Sequence, residues 1–298
     1  MQKKPESLRP VDKTLSIILV SYENPGILRQ CLTSIIQQNE LAKNEYEIIV
    51  IDNSQKEKNR KQIKEIIDED FEETTQLIQN ERNVGFPKAV NQGIRKSGGR
   101  YLLILNPDIT VLKGAIDRLI NFLDNHQNCA IVSPRLVNPR GNTQNSCFSY
   151  FTTWQIIIYR RTALGNLAKG KKAITEFTMA DWDHNDTRPV AWALGSSMMI
   201  KREAIDKVGL MDERFFMYME DLDWCRRFWR AGMEIYYYPK AQMVHYYQRE
   251  SASESSLLLA IFNRQTRVHI RSAIKYFWKY RRSSDRDILI KINNFRNE

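Results

Sequence analysis

Polar side chains follow three apolar segments of the chain at the points where those segments end. Asp108 stands just beyond the apolar run 101–105, and Pro107 before it cannot donate a hydrogen bond to a sheet. The turn 21–24 and the polar residues 52–54 follow two earlier apolar runs. Ligands bind beyond the carboxyl ends of strands in open parallel sheets, so we expect one shared ligand site. The alternative is a set of helix caps and turns, which Asp, Asn and Ser also favour.

A second group of candidate residues lies in the stretch 211–227, MDERFFMYMEDLDWCRR, where acidic and aromatic side chains alternate. Carboxylates beside bulky apolar groups lose solvation, which raises their pKa and suits a general base. The alternative is an acidic helix N-terminus, because acids there favour the helix dipole. The five acids are Asp212, Glu213, Glu220, Asp221 and Asp223.

Two further positions depend on their surroundings. A single histidine after an apolar segment, such as His245, is usually a packed core residue, and it becomes a candidate ligand only if it faces Asp108. Gly195 and Ser196 are small enough to let a sugar approach the backbone closely, although a tight turn into a strand explains them equally well.

The scaffold for these residues is predicted from alternating apolar patterns. Short apolar runs predict strands, and apolar residues at helical spacing predict helices between them, which indicates an α/β fold with a parallel sheet. Loops and short helices that fold over a site are expected at 138–190, and a helix from 253 to about 280. The predicted strands are 15–20, 46–51, 75–80, 101–105, 195–200 and 234–238, and the predicted helices are 26–38, 56–73, 86–97 and 114–124.

Length and composition exclude several classes of protein. The chain has 298 residues with 42% hydrophobic content, enough for one large α/β domain or two small ones. Its apolar runs are too short for a transmembrane helix, and its first residues lack the apolar core of a signal peptide. The four cysteines show no CxxC spacing, so we expect no disulfide framework or metal cluster and a cytoplasmic location. Neither a GxGxxG motif nor a P-loop is present.

The charge is strongly basic and unevenly placed. The net charge is +10, and residues 262–298 hold ten Lys or Arg against three acids. In the stretch 263–282 these cations alternate with aromatic and aliphatic residues. One hypothesis is a peripheral helix on an anionic membrane, and the other is a helix packed on the catalytic domain with a solvated basic face. A nucleic-acid-binding protein is disfavoured, because no such motif is found and the acids at 212–223 would repel phosphates.

Five stretches of the chain, taken in order, resemble the inverting GT-A glycosyltransferases of family 2, in their rhamnosyltransferase-like branch. The resemblance implies a GT-A fold, which is Rossmann-like with a mostly parallel central sheet, and a helical C-terminal extension. The expected catalytic domain is 1–252, with a nucleotide-binding half at 14–110 and an acceptor half at 111–252, followed by a basic extension at 253–298. The matching stretches are SIILVSYENPGILRQCLTSI at 16–35, EIIVIDNSQ at 47–55, NERNVGFPKAVNQGIRKSGGRYLLILNPD at 80–108, ALGSSMMIKREAIDKVGLMDERFFMYMEDLDWCRRFWRAG at 193–232 and VHYYQRES at 244–251.

The resemblance also implies roles for individual residues. Asp108 would be the metal-binding carboxylate of a DxD-type motif whose first position is Asn106, and His245 would complete the metal or diphosphate site. Asp221, in the pair with Glu220, would be the catalytic base. The implied cofactor is Mg²⁺ or Mn²⁺. The residues implied in donor binding are Asp52 on the nucleotide base, Ser21, Tyr22 and Asn24 against base and ribose, Asn83, Gly85 and Phe86 at the pocket floor, and Asn106, Gly195 and Ser196.

The function that these roles imply is the transfer of a sugar from a nucleoside diphosphate to an acceptor hydroxyl. The branch implies dTDP-L-rhamnose as donor and a glycan or polyprenyl-diphosphate-linked acceptor of a bacterial cell surface, reached from the inner face of the membrane. UDP-hexose, UDP-hexosamine and UDP-galactofuranose are alternative donors. A non-catalytic member stays open because of Asn106, whereas a nucleotidyltransferase would need a glycine-rich basic loop where this chain has SYENPG at 21–26.

Overall fold

A computed structural model describes residues 9–246 and 263–297 of the chain. Its core is one mixed sheet with the strand order β3-β2-β1-β4-β10-β6-β11-β5, to which β8 adds on β11, and a separate strand pair is formed by β7 and β9. The strands are β1 Lys13–Ser21, β2 Tyr46–Asp52, β3 Thr75–Gln79, β4 Gly99–Leu105, β5 Ile109–Val111, β6 Cys129–Val137, β7 Cys147–Phe148, β8 Arg188–Pro189, β9 Trp192–Ala193, β10 Ser197–Lys201 and β11 Glu234–His245.

Helices cover both faces of the sheet, as the alternating pattern of the first hundred residues predicts. Apolar residues at alternate positions of the central strands pack into two separate clusters, one on each face of the sheet. The helices are α1 Pro25–Gln38, α2 Glu57–Asp70, α3 Phe86–Lys96, α4 Ala115–Asn125, α5 Trp154–Arg161, α6 Ala168–Thr178, α7 Arg202–Val208, α8 Glu220–Arg230, α9 Arg264–Tyr280 and α10 Arg286–Asn297, and a short 3₁₀ turn spans Ala163–Asn166.

The first half of the sheet is parallel. β1 pairs in parallel with both β2 and β4, and β2 pairs in parallel with β3. The prediction of an α/β fold with parallel strands is therefore confirmed. β2, β1 and β4 are parallel neighbours in the sheet. Their carboxyl ends therefore lie at the same edge, and so do the polar turns that follow these strands.

The second half of the sheet is mixed, and its strands differ more from the predicted ones. β10 runs antiparallel to β4 and β6, whereas β11 runs parallel to β6 and antiparallel to β5. The predicted strand 195–200 begins only at Ser197, because the backbone of Gly195 and Ser196 bonds to other segments. The predicted strand 234–238 continues to His245, and β5 and β6 have no counterpart among the predicted strands.

The C-terminal helices pack on α8. α9 buries Ala273, Tyr276 and Tyr280, and Asp285 after it pairs with the buried guanidinium of Arg226 in α8. The described part of the predicted C-terminal helix thus contacts the rest of the fold. The start of that predicted helix and the proposed boundary at 252/253 lie outside the described residues, so the division into domains stays a prediction. None of the described helices is long and apolar enough to span a membrane.

Candidate active site

Asp108 and His245 face each other at the end of β4, although they are far apart in sequence. The antiparallel pairing of β5 with β11 sets His245 opposite Ile109, and the Tyr246 N–H donates to the carbonyl of Asp108 at 2.9 Å. This register places His245 Nε2 3.4 Å from Asp108 Oδ2. The condition that the sequence set for His245 as a candidate ligand is therefore met.

The ring of His245 is held by Gln144, which is not among the predicted site residues. His245 Nδ1 lies 2.8 Å from Gln144 Oε1, and the Gln144 amide donates to the His245 carbonyl at 2.9 Å. Since an amide oxygen only accepts, Nδ1 donates to Gln144, and Nε2 is the ring nitrogen that is directed toward Asp108. No local pattern of the chain distinguishes Gln144 from the polar loop residues around it.

Asp108 and His245 offer some, but not all, of the ligand atoms that a divalent cation needs. The second carboxylate oxygen of Asp108, Oδ1, is buried without a hydrogen-bond partner in the described residues. Throughout 9–246 and 263–297, no three or more His, Cys, Asp or Glu side chains come together as a metal site. Mg²⁺ and Mn²⁺ sites often use one or two protein ligands together with phosphates and water, and the Asp108–His245 pair fits such a site.

The two candidate catalytic acids begin α8, after a strained segment. Tyr218 and Met219, directly before them, both have positive φ, at 71° and 69°, which is uncommon outside glycine. We call residues 217–221 the acid turn. Asp221 Oδ2 accepts from the Gly195 N–H at 3.1 Å and Oδ1 from the Leu222 N–H at 2.8 Å. The Asp221 carboxylate is thus held by backbone donors from two segments.

Burial changes the protonation of both acids. Burial, and after it the neighbouring charge of Asp221, raise the pKa of Glu220 to about 8. Burial also raises the pKa of Asp221, while the N–H groups of Gly195 and Leu222 act in the opposite direction. We expect Asp221 to ionise first, which leaves the more deeply buried Glu220 protonated near neutral pH.

Gly195 and Ser196 connect the acid turn to the end of β4. The Asn106 N–H donates to the Ser196 carbonyl at 2.8 Å, and the Gly195 N–H binds Asp221 as described. A Cβ at Gly195 would lie 3.4 Å from the Asp221 Cβ and 3.5 Å from the ring of Phe86. One segment therefore joins Asn106 and Asp108 on one side with Asp221 and Phe86 on the other.

Gly85 forms a second connection to the acidic segment. It has φ of +88°, and a Cβ there would lie 2.5 Å from the carbonyl oxygen of Phe216. The same carbonyl accepts from the Phe86 N–H at 2.8 Å, and the Asn83 side chain accepts from the Gly85 N–H at 2.9 Å. Only glycine fits this approach, and the three residues predicted at the pocket floor lie against the chain that leads into the acid turn.

The predicted nucleotide-binding residues lie at the ends of β1 and β2, next to β4 in the sheet. Asp52 is fully buried, and its carboxylate accepts from the Ser54 N–H at 2.8 Å and from Gln79 at 3.0 Å. Ser21 is buried at the end of β1, whereas Tyr22 is exposed. Asn24 caps α1 by accepting from Ile27 N–H at 3.3 Å, so the predicted alternative of a helix cap holds for it.

Glu23 is a site-edge residue to which the sequence analysis gave no role. It has a φ of 58°, and its carboxylate accepts from the N–H groups of Gln55 and Lys56 at 2.8 and 3.1 Å. These bonds fasten the loop after β1 to the loop after β2. The strained backbone has no signature in the sequence, because Glu is not a residue that favours positive φ.

The chain thus has the architecture of a GT-A fold: a mixed, mostly parallel sheet with polar groups at its strand ends, joined to an acid pair through Gly195 and Ser196. The family model Glycosyl transferase family 2 matches residues 16–209. The chain therefore belongs to glycosyltransferase family 2, and the predicted family and fold are confirmed.

Rhamnosyltransferases are among the relatives of the chain. It is 25% identical to the N-acetylglucosaminyl-diphospho-decaprenol L-rhamnosyltransferase of Mycobacterium tuberculosis, over 68% of this chain and 69% of the relative. It is 24% identical to the rhamnosyltransferase WbbL of Escherichia coli, over 66% of this chain and 69% of the relative. It is 29% identical to the low-salt glycan biosynthesis hexosyltransferase Agl10 of Haloferax volcanii, over 74% of this chain and 63% of the relative.

Two solved structures share the fold. GalNAc-T7 with UDP, GalNAc and Mn²⁺ superposes with a TM-score of 0.59 at 21% identity, over 80% of this chain and 44% of that chain. The mannosyltransferase PcManGT of Pyrobaculum calidifontis, in complex with GDP-Man and Mn²⁺, gives 0.56 at 14% identity, over 83% of this chain and 62% of that chain. At these identities the likeness establishes the GT-A fold alone.

Proposed function

We propose that the chain is a metal-dependent, inverting glycosyltransferase that moves a sugar from a nucleoside diphosphate to an acceptor hydroxyl. The observation that carries this proposal is the apposition of Asp108 and His245 beside a segment that also holds Asp221. The Asp108–His245 pair and a half-buried carboxylate with a raised pKa thereby lie on connected segments, and they supply the two kinds of group that such a transfer needs.

Asp108 and His245 would hold the metal, either Mg²⁺ or Mn²⁺. A divalent cation held by these two residues would supply positive charge next to a diphosphate leaving group. Within the chain, Gln144 keeps Nε2 of His245 directed at the site, and no hydrogen bond in the described residues occupies Oδ1 of Asp108. Asn106, in place of a second acid, contributes its backbone to the contact with Ser196.

Asp221 would accept the proton of the acceptor hydroxyl. The N–H groups of Gly195 and Leu222 fix its carboxylate, so the free lone pairs keep one direction. Glu220 would support this role by staying protonated, because its burial raises its pKa to about 8. A neutral neighbour does not compete for the proton that Asp221 receives.

The nucleotide would bind at the carboxyl ends of β1 and β2 and at the start of α3. We assign the base to the region of Asp52 and the ribose to the turn 21–24, with Asn83, Gly85 and Phe86 below them. Asp52 already accepts two hydrogen bonds within the fold. A base would therefore reach this carboxylate only if the Gln79 amide gives up its bond, or it would contact the loop that Asp52 holds.

The proposed donor is dTDP-L-rhamnose, and the proposed acceptor is a lipid-linked glycan. Rhamnose is supported by the Mycobacterium and Escherichia relatives, and the lipid-linked acceptor by the Mycobacterium relative, whereas dTDP is what the family resemblance implies. The Haloferax hexosyltransferase favours a hexose, for which we propose a UDP-hexose donor as the second candidate. A cytoplasmic location at the inner face of the membrane, with membrane contact through the basic C-terminus, stays a prediction.

The experiment that tests the proposal is nucleotide binding by calorimetry. The purified chain is titrated with dTDP, UDP, GDP and CDP, each with and without Mn²⁺ or Mg²⁺. We expect one nucleotide to bind with metal-enhanced affinity, dTDP if the donor is rhamnose and UDP if it is a hexose. Asp108→Ala should weaken the metal-dependent binding about 10- to 100-fold.

The matched control is Asp68→Ala, which removes an exposed carboxylate from α2 and should leave nucleotide binding unchanged. If the folded wild-type chain binds no nucleotide under any condition, the proposed activity is wrong. If Asp108→Ala binds with the wild-type metal dependence, the transferase can stand but the metal assignment fails.

A further inference from the structure

We propose that one face of the molecule, built by α5, the 3₁₀ turn, α6 and α9, binds the surface of an anionic lipid bilayer. This inference deepens the proposed function, since a lipid-linked acceptor would lie in such a bilayer. The argument itself rests on the apolar side chains and cations that the face presents. We call it the α5–α9 face, and its apolar residues are Trp154, Ile158, Leu164, Leu167, Ile270, Ile274 and Trp278.

Helix α9 has two apolar stripes, one buried and one exposed. One stripe packs into the fold through Ala273, Tyr276 and Tyr280. The other consists of Ile270, Ile274 and Trp278, spaced by one helical turn each, and Trp278 is 67% exposed. A helix that already buries one face has no structural need for a second apolar ridge, so the outer ridge calls for another partner.

Helix α5 extends this ridge across the surface. Its Trp154 ring stacks on Phe277 of α9, with ring centroids 4.3 Å apart, and its exposed Ile158 follows one turn later. Leu164 and Leu167 lie between α5 and α6, and Leu167 is 60% exposed. In the described residues, seven of the eleven exposed large hydrophobic side chains belong to this face, so they are clustered rather than scattered.

Cations surround the apolar residues of the face. Arg267 and Arg271 on α9 and Arg281 directly after it are exposed, and among the described residues no carboxylate lies within 4.0 Å of their guanidinium groups. The stretch 263–282 contains no acidic residue at all. α6 adds three exposed lysines, Lys169, Lys171 and Lys172. The positive electrostatic potential at this face therefore favours anionic partners.

The combination of groups favours a bilayer over other anionic or apolar partners. Nucleic acid would use the cations but would leave the aliphatic ridge exposed to water. A second copy of the chain would cover the ridge but would bring two sets of cations together. Tryptophan and aliphatic side chains flanked by Arg and Lys are typical of helices that lie in the membrane interface without crossing it.

The α5–α9 face is attached directly to the segments that hold the acid turn. The Leu194 N–H donates to the carbonyl of Ser146, just before β7, from which the chain leads into α5. On the other side, Ser272 in α9 donates to the carbonyl of Met217 at 2.9 Å. Bilayer binding through this face would thus hold the acceptor half of the molecule at the membrane.

The test is co-sedimentation of the full chain with vesicles of phosphatidylglycerol and phosphatidylethanolamine, and with vesicles of phosphatidylcholine alone. We expect binding to the anionic vesicles that salt weakens, and little binding to the neutral ones. The double variant Ile274→Ser with Trp278→Ser should lower the partition coefficient about tenfold, because two apolar anchors are lost. The double variant Arg267→Glu with Arg271→Glu should lower it by a similar factor for anionic vesicles only.

The matched controls are the same kinds of substitution at positions outside the α5–α9 face. Val11→Ser removes an exposed aliphatic side chain outside the face, and Lys58→Glu reverses an exposed charge on α2. Both should partition like the wild type. Nucleotide binding is measured on every variant, so a failure of the bilayer proposal is distinguishable from a failure of the proposed transferase activity.

Four results would overturn the proposal. The wild type could fail to bind anionic vesicles, or the face variants could bind them as well as the wild type does. Light scattering could show a dimer that the Ile274→Ser, Trp278→Ser variant converts to monomer, in which case the face is an interface between copies. Salt-sensitive retention on DNA without vesicle binding would assign the cations to nucleic acid instead.

Discussion

The two sides of the candidate site are held in place by different means. On the proposed nucleotide side, Asp52 ends β2 and Asp108 lies three residues beyond the end of β4, and the parallel pairing of β2 and β4 with β1 fixes the spacing of these strand ends. On the acceptor side, Asp221 begins a helix after a strained turn, and the bond from Gly195 N–H fixes its carboxylate. The first arrangement is local to the sheet, whereas the second depends on segments far away in the sequence.

Helix α9 is the main support of the acceptor side. Tyr280 donates to Asp223 Oδ1 at 2.8 Å, and Lys279 bonds to the same oxygen. The ring of Tyr218 in the acid turn stacks on His269, with centroids 4.7 Å apart. These contacts offset the cost of two positive φ angles, so the C-terminal helix helps to set the geometry of the two candidate catalytic acids.

The sharpest test of the comparison is Asp221→Asn, which keeps the shape of the side chain but removes the base. We expect kcat to fall about 10³-fold while the affinity for the donor nucleotide changes less than about twofold. Transfer assays and calorimetry measure the two quantities separately. The control is Asp206→Asn on the exposed side of α7, which should leave both unchanged. Wild-type turnover by Asp221→Asn would remove the base assignment.

The sequence predicted the nucleotide side better than the acceptor side, for a physical reason. Continuous apolar runs mark buried parallel strands, and the polar residues after them are visible at once. The β6 strand was missed because Ser133, Pro134 and Arg135 interrupt its apolar pattern. The contact of His245 with Asp108 depends on the register of β5 and β11, which no local pattern encodes. The bond between Gly195 and Asp221 is equally non-local.

A second test concerns the stability of the acceptor side as a function of pH. Glu220 has a folded-state pKa of about 8, raised from 4.5, so the folded state binds its proton more tightly than the unfolded state. The free energy of unfolding should therefore fall as the pH rises from 4.5 to about 8, and stay low above it. Glu220→Gln cannot ionise, and its stability should fall less over this interval.

The measurement for Glu220→Gln is urea unfolding at several pH values across that interval. Asp221 contributes a slope of the same sign in both proteins, so the difference between the two slopes reports Glu220. Asp206→Asn again serves as the control, because it changes an exposed acid. Parallel stability curves for wild type and Glu220→Gln would contradict the burial of an ionisable Glu220.

A third test compares two glycines on the boundary between the two sides. Gly85→Ala places a Cβ 2.5 Å from a backbone oxygen at positive φ, and we expect it to cost about 2 kcal/mol of stability. Gly195→Ala places its Cβ at ordinary contact distance, 3.4 Å from Asp221, so the fold should tolerate it. Thermal unfolding compares the two variants. Equal stabilities would show that the Gly85 contact with Phe216 is not close in solution.

The smallest expected effect tests whether α9 supports the acid turn. Tyr280→Phe removes only the hydroxyl that donates to Asp223, and it should cost about 1 kcal/mol of stability. If α9 positions the acid turn, this variant should also lower kcat several-fold without changing the affinity for the nucleotide. The matched control is Tyr238→Phe, which removes the same hydroxyl group from a tyrosine in β11. If the stability falls but kcat does not change, α9 contributes packing only and does not position the acid turn. The bond from the Gly195 N–H to Asp221 would then be the feature that distinguishes the acceptor side from the nucleotide side.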